Sequence, residues 1–240
     1  MTFHTSGAEH VNAFFKVKGV SGNANTTVAM EKSFGSPRHS VEFYDADDSG
    51  HLPTPRAGCT VQPENRIMYE IHKLVNVNLS GESLMGITSR FQTFLAQQLI
   101  ETGEISDEWT NIPDLYSFMQ RHVMTAATVS MFGPYILSLN PTFIEDFWAW
   151  SKDMGTLYMG LPRWLVPAAY RNRTKVLDNI KRWHKYAHEH YDCSQVGPED
   201  VGWEPYFGSK FSRKRQAMFG RWEQLDETAK AADDLGFIWA

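Results

Sequence analysis

Cysteine is scarce in this chain: two in 240 residues, Cys59 and Cys193, far apart and without CxxC spacing. That excludes a disulfide framework and fits a reducing compartment. No apolar run reaches the roughly 18 residues that a membrane span needs. The opening stretch MTFHTSGAEHVNAFFKVKG has no signal-peptide core, so no transmembrane anchor is expected. Positive charge is also short. Twenty-three Lys and Arg stand against 28 Asp and Glu, a net charge of −5, and no basic run offsets it. This argues against a nucleic-acid partner. Internal repeats and low-complexity tracts are absent.

What the chain does have is aromatic weight: 13% Phe, Trp and Tyr, including 8 Trp and 15 Phe, within 42% hydrophobic residues. Buried rings remove large areas from water, so a sizeable core is available. The spacing predicts a mainly α fold. Residues 6–16 read as a short helix carrying Val11, Phe14 and Phe15. Residues 18–63 lose periodicity to Gly, Ser, Asn, Asp and Pro, and read as a long ordered loop with an island at Phe43 and Tyr44. Helices follow over 64–78, 82–102 and 113–131, the second striped by Leu84, Ile87, Phe91, Phe94, Leu95 and Leu99. Asn140 reads as the cap of a helix over 140–155, with Phe143, Phe147, Trp150 and Met154 on one face. The connector after it, 155–167, is rich in Leu, Tyr, Met and Trp, whereas connectors are normally polar, so it needs a partner. The most regular helix covers 173–191, with Val176, Ile180, Trp183 and Ala187 inward. A basic helix is expected over 207–223. A last helix, 226–240, gains hydrophobicity toward Phe-Ile-Trp-Ala and reads as cut.

Few residues assemble into chemistry by spacing alone. His184 and His188 are four apart, as zinc ligands on one helix face are. With His190 and Cys193 they still make neither an HExxH order nor a closed ligand set, so a solvated helix face is expected and no metal. Cys59, in PRAGCTV, lacks a paired His for a nucleophile role. Gly19-Val20-Ser21-Gly22 lacks the flanks of a phosphate loop. Lys210, Arg213, Lys214, Arg215 and Arg221 read as a solvated face, with docking of an acidic partner as the sharper alternative. No catalytic residue is identified.

The wording of three segments adds more. PTFIEDFWAWSKDMGTLYMGLPRWLVPAAYRNRTKVLDNIKRWHKYAHEHYD, WEPYFGSKFSRKRQAMF and AADDLGFIWA resemble fungal cytochrome P-450 proteins, in the branch related to sterol 7α-hydroxylases and prostacyclin synthase. The likeness runs from Ser6 to Ala240. It implies a partial P-450 fold, truncated at both ends, with residues 1–63 as helix B and the B–C loop, 64–222 as helices C to H, and 223–240 as the start of helix I. It implies a parent enzyme, a monooxygenase of fungal secondary metabolism. That enzyme would use heme iron, O2 and electrons from NADPH–cytochrome P-450 reductase to oxidise a large apolar sterol, terpenoid or lipid. Phe43, Tyr44, Met154, Leu157 and Tyr158 would then line the substrate, and His72 would meet a heme propionate. Residues 157–165, with Leu157, Tyr158, Met159, Leu161, Trp164 and Leu165, would touch a membrane surface. The location implied is the cytoplasmic face of the endoplasmic reticulum, or the cytoplasm for a chain without an anchor.

The departures are specific. The family holds heme through a cysteine in a Phe-x-x-Gly-x-x-x-Cys-x-Gly loop, and neither Cys59 nor Cys193 has that context. No Glu here has Arg three residues on, and the position four after His72 is Asn76 rather than Arg. This chain is therefore expected to be inactive alone, with heme binding not implied by its own residues. The alternatives are a non-catalytic helical ligand-binding or interaction protein, and a small metalloprotein on His184 and His188.

Overall fold

A computed structural model describes residues 6–16, 23–105, 108–197 and 199–239. Its elements run α1 (Ala8–Lys16), α2 (Asn23–Ala29), a π-helical turn (Met30–Phe34), α3 (Arg38–Asp45), a 3-10 turn (Pro63–Asn65), α4 (Ile67–Asn78), α5 (Gly81–Glu101), α6 (Leu115–Phe132), α7 (Tyr135–Ser138), α8 (Phe143–Tyr158), α9 (Pro167–His190), a 3-10 turn (Cys193–Gln195), β1 (Trp203–Glu204), β2 (Gly208–Ser209), α10 (Lys210–Phe219) and α11 (Glu227–Trp239). The only sheet among the described residues is the two-stranded β1–β2 hairpin. The mainly α expectation holds.

The core sits where α8, α9 and α11 meet. Phe143, Phe147, Trp150 and Leu157 of α8 pack with Val176, Ile180, Trp183 and Ala187 of α9 and with Ala231, Ala232 and Leu235 of α11. The helical spacing read from the sequence puts these residues on facing stripes. A polar clasp beside this core fixes the α8–α9 register. Asp146 accepts from Asn179 Nδ2 at 2.9 Å and Thr142 Oγ1 at 2.9 Å, and pairs with Lys175 at 2.7 Å. A second cluster joins Val41, Tyr44, Ile67, Met218, Phe219 and Trp222. The α5 stripe faces the right way but is mostly half-buried, because α5 packs chiefly on α6; Ile87 alone in it is fully buried.

Four expectations change. Of the stretch 18–63, the described part from Asn23 is helical over α2, the π turn and α3, with a break at 35–37, and irregular from 46 to 62. α2 carries little apolar periodicity, and α3 is too short to show more than Val41 and Tyr44 on its buried face; a distant partner also holds it, Ser40 Oγ donating to Gln224 O at 2.6 Å. Asn140 caps nothing. Its amide donates to Ile136 O at 2.9 Å and Asn179 O at 3.0 Å, and α8 starts at Phe143. The greasy connector is shorter than expected, because α8 runs on to Tyr158 and α9 starts at Pro167, six residues before Arg173. The basic helix starts at Lys210, after the hairpin, where Ser209 Oγ accepts from Ser212 N at 3.2 Å. The Gly19–Gly22 loop and the side chains of Phe14 and Phe15 lie outside the described residues.

The hairpin meets the end of α6 through two glycines. Gly133 (φ 84°) and Gly208 (φ 74°) both lie in the left-handed region. A Cβ on Gly208 would sit 2.4 Å from Gly133 N, and one on Gly133 would sit 2.3 Å from Pro205 O. Neither contact can relax through a side chain, since backbone opposes backbone. Gly208→Ala is therefore expected to cost about 1–3 kcal/mol from backbone strain alone, with the clash added. Urea unfolding of the variant checks this, and an unchanged midpoint would contradict it.

Candidate functional site

The strongest concentration of chemistry is a buried ionic cluster at the junction of α9, α10 and α11. Asp234 falls on the apolar stripe of α11, between Ala231 and Leu235, and is 1% exposed. Arg215 takes the same place on α10, between Phe211 and Phe219. Arg215 Nε donates to Asp234 Oδ1 at 3.0 Å, and its Nη2 to Asp233 Oδ1 at 2.7 Å. His184 Nε2 lies 2.8 Å from Asp234 Oδ2, and Gln216 Nε2 donates to the same oxygen at 2.7 Å. Tyr44 of α3 closes the set, donating to Asp233 Oδ2 at 2.5 Å. Phe211, Phe219 and Phe237 present ring faces to the guanidinium.

Burial alone would raise the Asp234 carboxyl pKa; the Arg215 guanidinium and His184 more than reverse this and hold it below the ordinary value. Tyr44 moves up, through burial first and the Asp233 charge second. The arrangement can do little acid–base chemistry at neutral pH. Asp234 stays ionised, Tyr44 stays protonated, and both are consumed by partners within the fold.

The basic residues thus divide. Arg213 and Arg215 are 0% and 2% exposed, which corrects the solvated-face expectation for both. Arg213 binds Asp200 and the Val201 carbonyl, with its guanidinium 5.5 Å from the centre of the Tyr191 ring. Arg221 does lie in solvent, paired with Glu70. His184 is likewise buried and paired, not solvated, while His188 is exposed. Among the described residues no group of three or more His, Cys, Asp or Glu side chains could hold a metal ion.

The residues expected at a substrate surface are not brought together. Phe43 packs on Trp222, ring centres 5.8 Å apart, and Tyr44 belongs to the ionic cluster. Leu157 is buried in the main core, so it faces neither ligand nor lipid. Met154 is half-buried beside the π turn, where Ser33 Oγ donates to its carbonyl at 3.3 Å. Tyr158 is exposed and donates to Asn25. His72 is exposed on α4, its ring 4.7 Å from that of His51.

Two features escaped the sequence. The π turn is bolted to the core: Trp150 Nε1 donates to Ser33 O at 3.0 Å, and Arg173 donates to Lys32 O. The ionic cluster had a signal, since Asp234 and Arg215 sit on apolar stripes where a charge needs a partner. The spacing did not say which.

The cysteines lie elsewhere. Cys193 is buried, and burial, followed by the Glu204 charge, pushes its thiol up to about 12. Cys59 is partly exposed in the 46–62 segment.

Over 243 residues the chain is 36% identical to cytochrome P450 monooxygenase fsoE of Humicola fuscoatra, covering 100% of this chain and 39% of that protein. It is 34% identical over 238 residues to cytochrome P450 monooxygenase efuG of Hormonema carpetanum, covering 98% and 39%. It is 26% identical over 216 residues to cytochrome P450 monooxygenase calL of Penicillium decumbens, covering 88% and 40%. No family model and no solved structure matches it. The chain belongs to the cytochrome P450 family, and spans about 39% of the length of the first two relatives. Its mainly α architecture is a partial P450 fold.

Heme is implied by that family, and its axial thiolate does not fit here. A thiol held near 12 and closed inside the core is not a thiolate at neutral pH. Cys59 lies in the irregular 46–62 segment, outside a Phe-x-x-Gly-x-x-x-Cys-x-Gly loop. No step of a heme reaction is assigned to these residues.

The ionic cluster makes a stability prediction. A carboxylate whose folded pKa is depressed contributes stability above its unfolded value, about 3.9 for Asp. That contribution is lost as pH falls through the depressed folded value. Asp234→Asn is expected to cost about 3–5 kcal/mol at neutral pH, because Arg215 and His184 lose the carboxylate charge between them and one of its two accepting oxygens becomes a donor. It should also flatten the acid limb of stability against pH. Chemical unfolding of both proteins from pH 7 downward checks this; parallel curves would contradict it.

Proposed function

We propose that this chain forms the substrate-facing helical part of a heme-dependent monooxygenase acting on a large apolar substrate of sterol, terpenoid or lipid kind. The observation that carries the reading is the match to two P450 monooxygenases over nearly all of this chain. In this reading α1 is helix B, the segment from α2 to the 3-10 turn at Pro63 is the B–C region, α4 to α6 are helices C to E, α8 is F, α9 is G, and α11 opens helix I. Of the substrate-lining candidates, the half-buried Phe43 and Met154 and the exposed Tyr158 have surface to offer; Leu157 and Tyr44 support the wall from behind. His72 is the candidate for a propionate contact. Electrons would reach the whole protein from NADPH through its reductase.

These residues alone are expected to be inactive. Reconstitution with hemin, reduction and carbon monoxide should give no red-shifted Soret band of a thiolate complex. Such a band, abolished by Cys193→Ser or Cys59→Ser, would overturn that expectation.

The membrane reading narrows to Tyr158, Met159, Trp164 and Leu165, which are exposed, with the half-buried Leu161; Leu157 drops out. Trp164 is 80% exposed. Rings of this kind settle at headgroup depth, where Arg163 and Arg171 would meet phosphates. That fits the cytoplasmic face of the endoplasmic reticulum. Among the described residues no helix is long and apolar enough to cross a membrane. Trp164→Ala should weaken binding to phospholipid vesicles several-fold in a flotation assay, and equal flotation would remove this contact.

A further inference from the structure

We propose that the cleft between α9 and α11 is a binding site for a compact oxyanion of the phosphate class. Its lining is Lys181, His184, Lys185 and His188 from α9, and Glu227 and Lys230 from α11, around about 270 Å³. The α9 residues fall at i, i+3, i+4 and i+7, so one face of that helix carries them all. Three ammonium groups meet one carboxylate. Lys181 already pairs with Asp178 at 2.8 Å. Lys185 and Lys230 make no ion pair among the described residues. Their positive excess disfavours a cation and suits a ligand with several negative oxygens, for which lysines act as point charges. The volume lies just under the roughly 300–1,000 Å³ of sites for drug-sized ligands, so the occupant is small.

The wall behind the cleft is rigid. His184 is held by Asp234, and the His188 ring packs on Phe207 with centres 4.8 Å apart. His188 is the natural reporter. His188 is exposed overall, but partial desolvation of its ring lowers its pKa, the neighbouring His184 and Lys230 lower it further, and Gln216 and Asp234 act in the opposite direction. Asp192, past the end of α9, also senses the His188 charge. An anion seated between Lys185, Lys230 and His188 would favour the imidazolium and raise that pKa.

The test uses the full chain and inorganic phosphate, with ionic strength held constant by sodium chloride. The His188 ring is followed by proton–nitrogen NMR across a pH series. The expected result is a saturable shift with phosphate, a raised His188 pKa, and at least tenfold weaker binding in a Lys185→Gln/Lys230→Gln variant whose circular dichroism is unchanged. Lys214→Gln on α10, outside the cleft, should bind as the unaltered chain does. A non-saturating response, one that chloride reproduces, or equal affinity in the double variant would overturn the proposal.

Discussion

The Asp234 carboxylate is the point on which the architecture turns. A charge buried this deeply is tolerated only when every oxygen is engaged. Asp234 engages both: Oδ1 takes Arg215, and Oδ2 takes His184 and Gln216. The three donors come from α9 and α10, so α11 has one register against them. Asp233, next in the chain, extends the same constraint to α3 through Tyr44. Apolar stripes bring these helices together without strong preference for one sliding position over another. The ionic cluster supplies that preference, and the Asp146 clasp does the same for α8 on α9.

This division explains what could be read in advance. Long helices announced themselves, because Val176, Ile180, Trp183 and Ala187 repeat at the helical period and are all buried. The short helices α2 and α3 did not: α2 carries no apolar stripe, α3 offers only Val41 and Tyr44 to the buried core, and the anchor of Ser40 is distant in sequence. Asn140 had the chemistry of a cap and was drawn instead into the α7–α9 contact. Arg213 and Arg215 looked like a solvated run because sequence shows charge but not its partners. Of the candidate site, the exposure of Met159, Trp164 and Leu165 was legible. The scattering of Phe43, Tyr44 and Leu157 into separate environments was not, because membership of a core depends on which helices meet.

Family membership implies heme, and the axial thiolate is not supplied by the residues of this span. The likeness to P450 monooxygenases extends over the whole chain, yet it spans only 39% of the relatives' length. Within that span the described residues build a helical frame around α8, α9 and α11. Cys193 serves as a small apolar side chain of the core, and its elevated thiol pKa follows from that role. The surface that this segment presents includes the half-buried Phe43 and Met154 and an exposed Trp164.

The claim that one ionic cluster holds α9, α10 and α11 as a unit is tested most directly by native-state hydrogen exchange. Amides of the three helices should open together, with a single free energy and the same dependence on denaturant. If α11 exchanged independently, at a distinctly lower free energy than α9, the cluster would not be the constraint on which the fold depends.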